Sequence, residues 1–247
     1  MAENLVRYEV AAGVATMTLD SPANRNALST AMLRRMLALL ESAGSDDAVR
    51  VLVLGHTGGA FCSGMDLADS SGPELPVDVF PQLLQAFWDF PKPVIARVGG
   101  PARAGGIGLL AACDIAVTAR DATFAFTEVR LGLVPAVIAA TVLPRLPHAA
   151  GRELFLTGEV FDGTRAAALG LVNSAVEDVD AEVARYVALL LKGGPTALAA
   201  TKQVLRQRPT VADFAELVAL SGRFFAAEEG REGIAAFREK RPATWLP

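Results

Sequence analysis

Short apolar stretches that alternate every second residue, separated by segments with helical spacing, run through the first three-quarters of the chain and then stop. Val6, Tyr8 and Val10 alternate with polar positions, as do Val14, Thr16 and Thr18, so residues 5–19 are predicted to form a two-stranded hairpin closed by Ser21-Pro22. Leu33, Met36, Leu37 and Leu40 recur at helical spacing, with Ser29 as N-cap and Gly44 as the stop. Val49 to Leu54 is predicted as a half-buried strand before the Gly58-Gly59 loop, and the polar, Gly- and Pro-containing residues 68–77 as a mobile surface segment. Leu83, Leu84, Phe87 and Trp88 predict a helix ended by Pro91-Lys92-Pro93. A strand over 94–98, a buried helix over 105–113, a strand over 114–118 and a short strand at Phe124 and Phe126 follow. Beyond Ala136 helices dominate except at Leu171 to Val176, and the last sixty or so residues carry no strand signal. Strands alternating with helices specify an α/β core. Gly193-Gly194-Pro195 reads as a hinge, dividing the chain into a core over 1–192 and a helical extension over 193–247.

Composition narrows the function. The 247 residues are 52% hydrophobic and 20% charged, which excludes a disordered chain, and 23 basic against 27 acidic residues give a net charge of −4. That balance argues against a general nucleic-acid binder, which needs a basic face. The start Met1-Ala2-Glu3-Asn4 lacks a secretory signature, and the run Val134 to Leu143 is too short to cross a bilayer and contains Pro135. Cys62 and Cys113 are expected to be reduced and buried, and with only His56 and His148 a metal site is not expected. These features predict a soluble cytoplasmic enzyme.

Two glycine-containing segments carry the chemistry. Phe61-Cys62-Ser63-Gly64-Met65-Asp66-Leu67 follows a strand and a glycine loop, and its small residues permit a turn that aims N–H groups outward. Ala104-Gly105-Gly106-Ile107-Gly108 opens a helix, presenting unpaired N–H donors and the positive dipole end to an anion or a developing oxyanion. Each segment alone also fits a tight turn packed on a neighbour. Gly106, Gly108 and Ala111 match a dinucleotide-binding pattern, with Glu128 about twenty residues on, but seven residues separate Val98 from Gly106, too many for the tight turn that the pattern needs. Ser63 lacks a nucleophile-elbow context.

Taken together, the chain resembles the crotonase superfamily, also called the enoyl-CoA hydratase/isomerase family. The resemblance rests on Asn26-Ala27-Leu28, Phe61 through Leu67, Pro91 through Ala96, Gly105-Gly106, Ala112-Cys113-Asp114 and Phe126-Thr127-Glu128. It continues through Gly132 to Pro135, Leu156-Thr157-Gly158, Gly170-Leu171-Val172, and Arg231 to Gly233 with Phe237 to Arg241.

It implies a spiral of ββα units with a C-terminal helical domain that packs trimers or hexamers. It further implies an acyl-CoA thioester substrate, with coenzyme A as part of the substrate rather than a cofactor, and an oxyanion hole made by the backbone N–H groups of Met65 and Gly105. Many hydratases of the family carry two glutamates at the acyl group. Here the second is Glu128, whereas the first position, six residues before Asp114, is Gly108. Glu128 is therefore expected to act alone as acid and base.

Glycine at 108 with the segment Glu128 to Ile138 looks most like the methylglutaconyl-CoA and isohexenylglutaconyl-CoA hydratase branch, whose acyl groups carry a carboxylate; Arg103 is a candidate partner for such an acid or for a phosphate, a solvated loop arginine being the alternative. By the same resemblance, Arg25, Ala27, Ser63, Gly64, Asp66, Leu67, Phe237 and Lys240 would contact CoA, and Gly108 would face the substrate. The reaction expected is water addition to a 2-enoyl-CoA. The alternatives are a double-bond isomerase, for which one carboxylate is enough, and a CoA-binding member without hydratase activity.

Overall fold

The computed structural model describes residues 5–66, 69, 76–206 and 227–244. The N-terminal hairpin forms as expected, β1 (Val6–Ala11) against β2 (Val14–Leu19). Its two-residue turn, Ala12 and Gly13, has φ of 48° and 81°, the left-handed pair that matches the twist of such hairpins. Helix α1 (Thr30–Ser45) starts at Ser29, whose side chain accepts from the Met32 N–H, and runs one residue past Gly44 to an Asp46 cap. Asp69 adds a second acceptor at the same helix start, for the Thr30 N–H.

From β2 the chain builds a six-stranded sheet in the order β1-β2-β3-β4-β6-β9, with β3 (Val51–His56), β4 (Val94–Val98), β6 (Ile115–Ala119) and β9 (Ser174–Val176). All pairs after the hairpin are parallel. The expectation of a half-buried third strand is corrected. Leu52 and Leu54 join the large core beneath α1 and α2 (Pro76–Asp89), whereas Val51 and Val53 pack under α7 (Val179–Leu190) on the other face. A parallel strand covered on both faces reads as a continuous apolar run. Residues 76 and 77, assigned in sequence to a surface segment, begin α2; residues 68 and 70–75 of that segment lie outside the described residues.

A second, three-stranded sheet pairs β5 (Ala102–Arg103), β7 (Thr123–Ala125) and β8 (Phe161–Asp162). The two-residue strands β5 and β8 have too little length to show a period, so the sequence did not reveal them. Between the sheets lies α3 (Gly105–Ala112), buried at every position, which explains its unbroken apolar composition. Helices α4 (Ala136–Val142), α5 (His148–Thr157) and α6 (Gly163–Ala168) follow.

Beyond Gly193-Gly194, α8 (Pro195–Arg206) begins at its proline as expected, and the last described helix is α9 (Glu228–Glu239). Both cysteines are buried and unpaired, and burial pushes each thiol up to about 12. Among the described residues no helix is long and apolar enough to cross a membrane, and no cluster of acidic, His and Cys side chains could hold a metal ion.

Candidate active site

The segment after β3 is threaded between two others. On one side Phe61 N–H donates to Pro101 O (3.0 Å) and Arg103 N–H to Cys62 O (3.0 Å). On the other, Leu28 N–H donates to Gly64 O (2.8 Å) and Asp66 N–H to Leu28 O (3.1 Å). Leu28 thus bridges Met65 in parallel fashion using the groups on either side of it, so the Met65 N–H is directed away from Leu28. Gly64, at φ +100°, makes the turn possible. A Cβ built there would lie 3.8 Å from the Gly105 nitrogen, which measures how closely the two glycine-containing loops converge.

Asn26, given only a general place in sequence, anchors this arrangement. It is fully buried at φ 54°, its Oδ1 accepts from Ser21 N–H (2.8 Å), and its Nδ2 donates to Thr57 O (3.0 Å) and Ala60 O (2.8 Å). Asparagine tolerates the left-handed region and supplies both kinds of partner.

Gly105 is the first residue of α3, where a helix leaves its N–H groups without intrahelical acceptors. Ala104 before it has φ 46° and ψ −116°, a costly conformation for a residue with a Cβ. It is held by β5, whose Arg103 guanidinium donates to Ala102 O, Thr123 O and Thr123 Oγ1. The guanidinium named as a candidate partner for a substrate carboxylate or phosphate is held against its own sheet instead. It clamps β5 to β7, and Arg103 is not among the residues lining the cavity.

Glu128 sits in the 3-10 turn Thr127–Leu131 that follows β7. The Leu133 N–H donates to its carbonyl (2.9 Å), and Phe126 just before it stacks on Phe155 with ring centroids 4.4 Å apart. Its carboxyl is half-buried. Desolvation pushes its pKa above the ordinary 4.5, partly opposed by its own backbone N–H. Oε2 is buried with no hydrogen-bond partner among the described residues. A carboxyl in such surroundings is suited to holding and releasing a proton.

These elements enclose one cavity of about 230 Å³. Ser63, Gly64 and Met65 form one side, Ala104 and Gly105 another, and Thr127 and Glu128 a third; Phe80 of α2, Leu131 and residues 133–138 supply apolar walls. The latter were quoted in sequence only as a motif, because spacing does not show which of them face inward. Gly108 is corrected as well. Thr141 Oγ1 donates to Gly108 O (3.0 Å), pinning α4 on α3, and a Cβ built on Gly108 would lie 2.5 Å from Ile138 Cγ2. The cavity wall at this point is Ile138, and Gly108 stands behind it.

The other expected contacts divide. Arg25 is exposed at φ 57°, its carbonyl accepting from Ser63 N–H (3.0 Å), which puts its backbone at the cavity rim. Ala27 is buried beside Leu28, Ser63 Oγ donates to Asn24 O (3.2 Å), and Asp66 follows Met65 at the same rim. Lys240 is exposed just past α9, at φ 53°, and is not among the lining residues. Leu67 and the Phe237 side chain lie outside the described residues.

The enoyl-CoA hydratase/isomerase family profile matches residues 9–246. A Rhodobacter capsulatus protein named "Probable enoyl-CoA hydratase" is 37% identical over 255 aligned positions, covering 98% of each chain. The 2,3-dehydroadipyl-CoA hydratase of Escherichia coli is 35% identical, over 92% of this chain and 93% of its own. The crystal structure of an enoyl-CoA hydratase from Mycobacterium smegmatis superposes with a TM-score of 0.92 at 31% identity, covering 98% of this chain and 99% of that one. With this agreement of sequence and fold along its whole length, the chain belongs to the enoyl-CoA hydratase/isomerase family of enzymes.

Proposed function

We propose that the protein adds water across the C2–C3 double bond of a 2-enoyl-CoA, with the Met65 and Gly105 N–H groups as oxyanion donors and Glu128 as the acid and base. The observation that carries this reading is the convergence of the two glycine-containing loops and one desolvated carboxylate on a single cavity. Glu128 takes a proton from water as its oxygen bonds to C3, and the C2–C3 electron pair moves onto the thioester as an enolate. The two amides hold the enolate oxygen, Glu128 returns the proton to C2, and the thioester carbonyl reforms. Losing one such donor costs about 3 kcal/mol of barrier.

The CoA moiety is assigned to the rim at Arg25, Ala27, Ser63, Gly64 and Asp66, with Leu67, Phe237 and Lys240 as further contacts; residues 193–247 are assigned to a C-terminal helical unit that assembles trimers or hexamers. A location in the cytoplasm and a role in fatty-acid metabolism accord with this reading.

The presence of Ile138 where a second carboxylate would stand also suits a double-bond isomerase, which needs one group to move a proton between two carbons. Incubation with crotonyl-CoA and with a 3-enoyl-CoA, read by thioester absorbance and product mass, separates the two. Hydration of crotonyl-CoA is expected, with Glu128→Gln lowering kcat by about 10²–10⁴-fold while CoA affinity is kept. Isomerisation alone supports the second reading, and CoA binding without turnover of either substrate overturns both.

A further inference from the structure

The acyl cavity ends at the first turn of α4, and a second hollow begins on the far side of it. That groove, about 400 Å³, is lined by Pro81, Leu84, Gln85 and Trp88 of α2 and by Ala140 and Thr141 of α4. The cavity and the groove share only Ala136 and Val137. Their contributions from α2 are consecutive, Phe80 to the cavity and Pro81 onward to the groove, so the two are successive compartments of one seam between α2 and α4. Val137 supplies the larger side chain at the shared point. It is half-buried and packs against the main core.

We infer that Val137 is the end stop of the acyl site, and that it selects compact, uncharged acyl groups. This rests on the acyl-CoA reading above. The cavity, about 230 Å³, is smaller than the groove of about 400 Å³ beyond it, so a short acyl chain fits on the near side of Val137 and a long one must pass it. The charge preference follows from the walls. Glu128 is the only ionisable side chain among the described lining residues; of the two arginines adjoining lining residues, Arg103 is committed to Ala102 and Thr123, and Arg130 is exposed and does not line the cavity. A carboxylate at the acyl terminus would lie against Phe80, Val137 and Ile138, of which Phe80 and Ile138 are buried, at a cost that a methyl group does not meet.

The test is calorimetric binding of saturated acyl-CoAs from butyryl to dodecanoyl, and of glutaryl-CoA, to the full-length protein and to Val137→Ala and Val137→Leu. Wild type is expected to bind butyryl- or hexanoyl-CoA at least tenfold more tightly than decanoyl- or glutaryl-CoA. Val137→Ala, which joins the two compartments, should raise the decanoyl-to-butyryl affinity ratio at least tenfold, and Val137→Leu should lower it. Equal wild-type affinity for butyryl- and decanoyl-CoA overturns the inference, as does equal affinity for glutaryl-CoA or a ratio that neither substitution moves. Absence of binding by every acyl-CoA overturns it together with the proposed function. Because binding needs no turnover, a chain-length preference without hydration of crotonyl-CoA upholds the end stop while removing the proposed reaction.

Discussion

Glu128 shows how one residue's surroundings assign it chemistry. Nothing in its sequence neighbourhood is basic enough to hold it ionised except Arg130, which is exposed, and its carboxyl instead meets apolar walls. Its pKa is raised, so between the ordinary 4.5 and the raised value the folded protein binds more protons than the unfolded chain. Stability therefore falls as pH rises through that window, and the cost is fully present above it. Glu128→Gln removes the titration. The Tm of the variant relative to wild type is expected to rise from pH 4 to pH 8, with the change concentrated above 4.5; a pH-independent difference in thermal melts would show that the carboxyl is not desolvated. A stability gain from removing the carboxyl is the expected sign of a group held at a cost to the fold.

At the scale of elements, the packing of α4 on α3 decides what the site lacks. Glycine at 108 is not an opening in the cavity. It is the close approach that lets Ile138 descend onto α3, with Thr141 tying the two helices through the Gly108 carbonyl. Gly108→Ala would gain helix propensity but place its Cβ 2.5 Å from Ile138 Cγ2, and the overlap is expected to win, destabilising by about 2 kcal/mol. Ile138→Ala alone should cost about 2–4 kcal/mol through a cavity. The double variant should be more stable than the sum of the two, by at least 1 kcal/mol in a double-mutant cycle read by urea denaturation. Additivity would mean that α4 yields freely. By the same geometry, Gly108→Glu alone does not restore a pair of carboxylates, because Ile138 already fills the space.

Across the whole molecule, Lys202 ties α8 of the strandless C-terminal portion back to the core. Lys202 of α8 is 7% exposed; its Nζ lies 2.6 Å from Asp114 Oδ2 and donates to Lys92 O at 2.9 Å. Asp114 in turn accepts from the Val94 N–H (2.7 Å), so this contact joins α8 to the starts of β4 and β6. Lys202→Met should destabilise by about 2 kcal/mol, less than the 3–5 of a fully buried pair because the Asp114 side chain is 31% exposed. Thermal melts at low and high salt check this: a difference that vanishes at high salt would place the pair in solvent rather than in the join.

The chain's periodicities were enough for the hairpin, α1, the buried helix α3, the strands of the large sheet and the proline start of α8. Each is a local pattern repeated over several residues, which is what sequence carries best. The two glycine-containing loops were readable because backbone turns demand particular residue types, whereas Glu128 was singled out as acid and base only through the family resemblance. Arg103, Gly108 and Val137 were not readable. Whether an arginine meets a ligand or a neighbouring strand depends on β5 pairing with β7, which are separated by about twenty residues and too short to announce themselves. Whether a glycine opens a pocket or admits another helix depends on how closely α4 packs against α3. Contacts between segments distant in the chain set the shape and polarity of the cavity, and no spacing within a single segment encodes them.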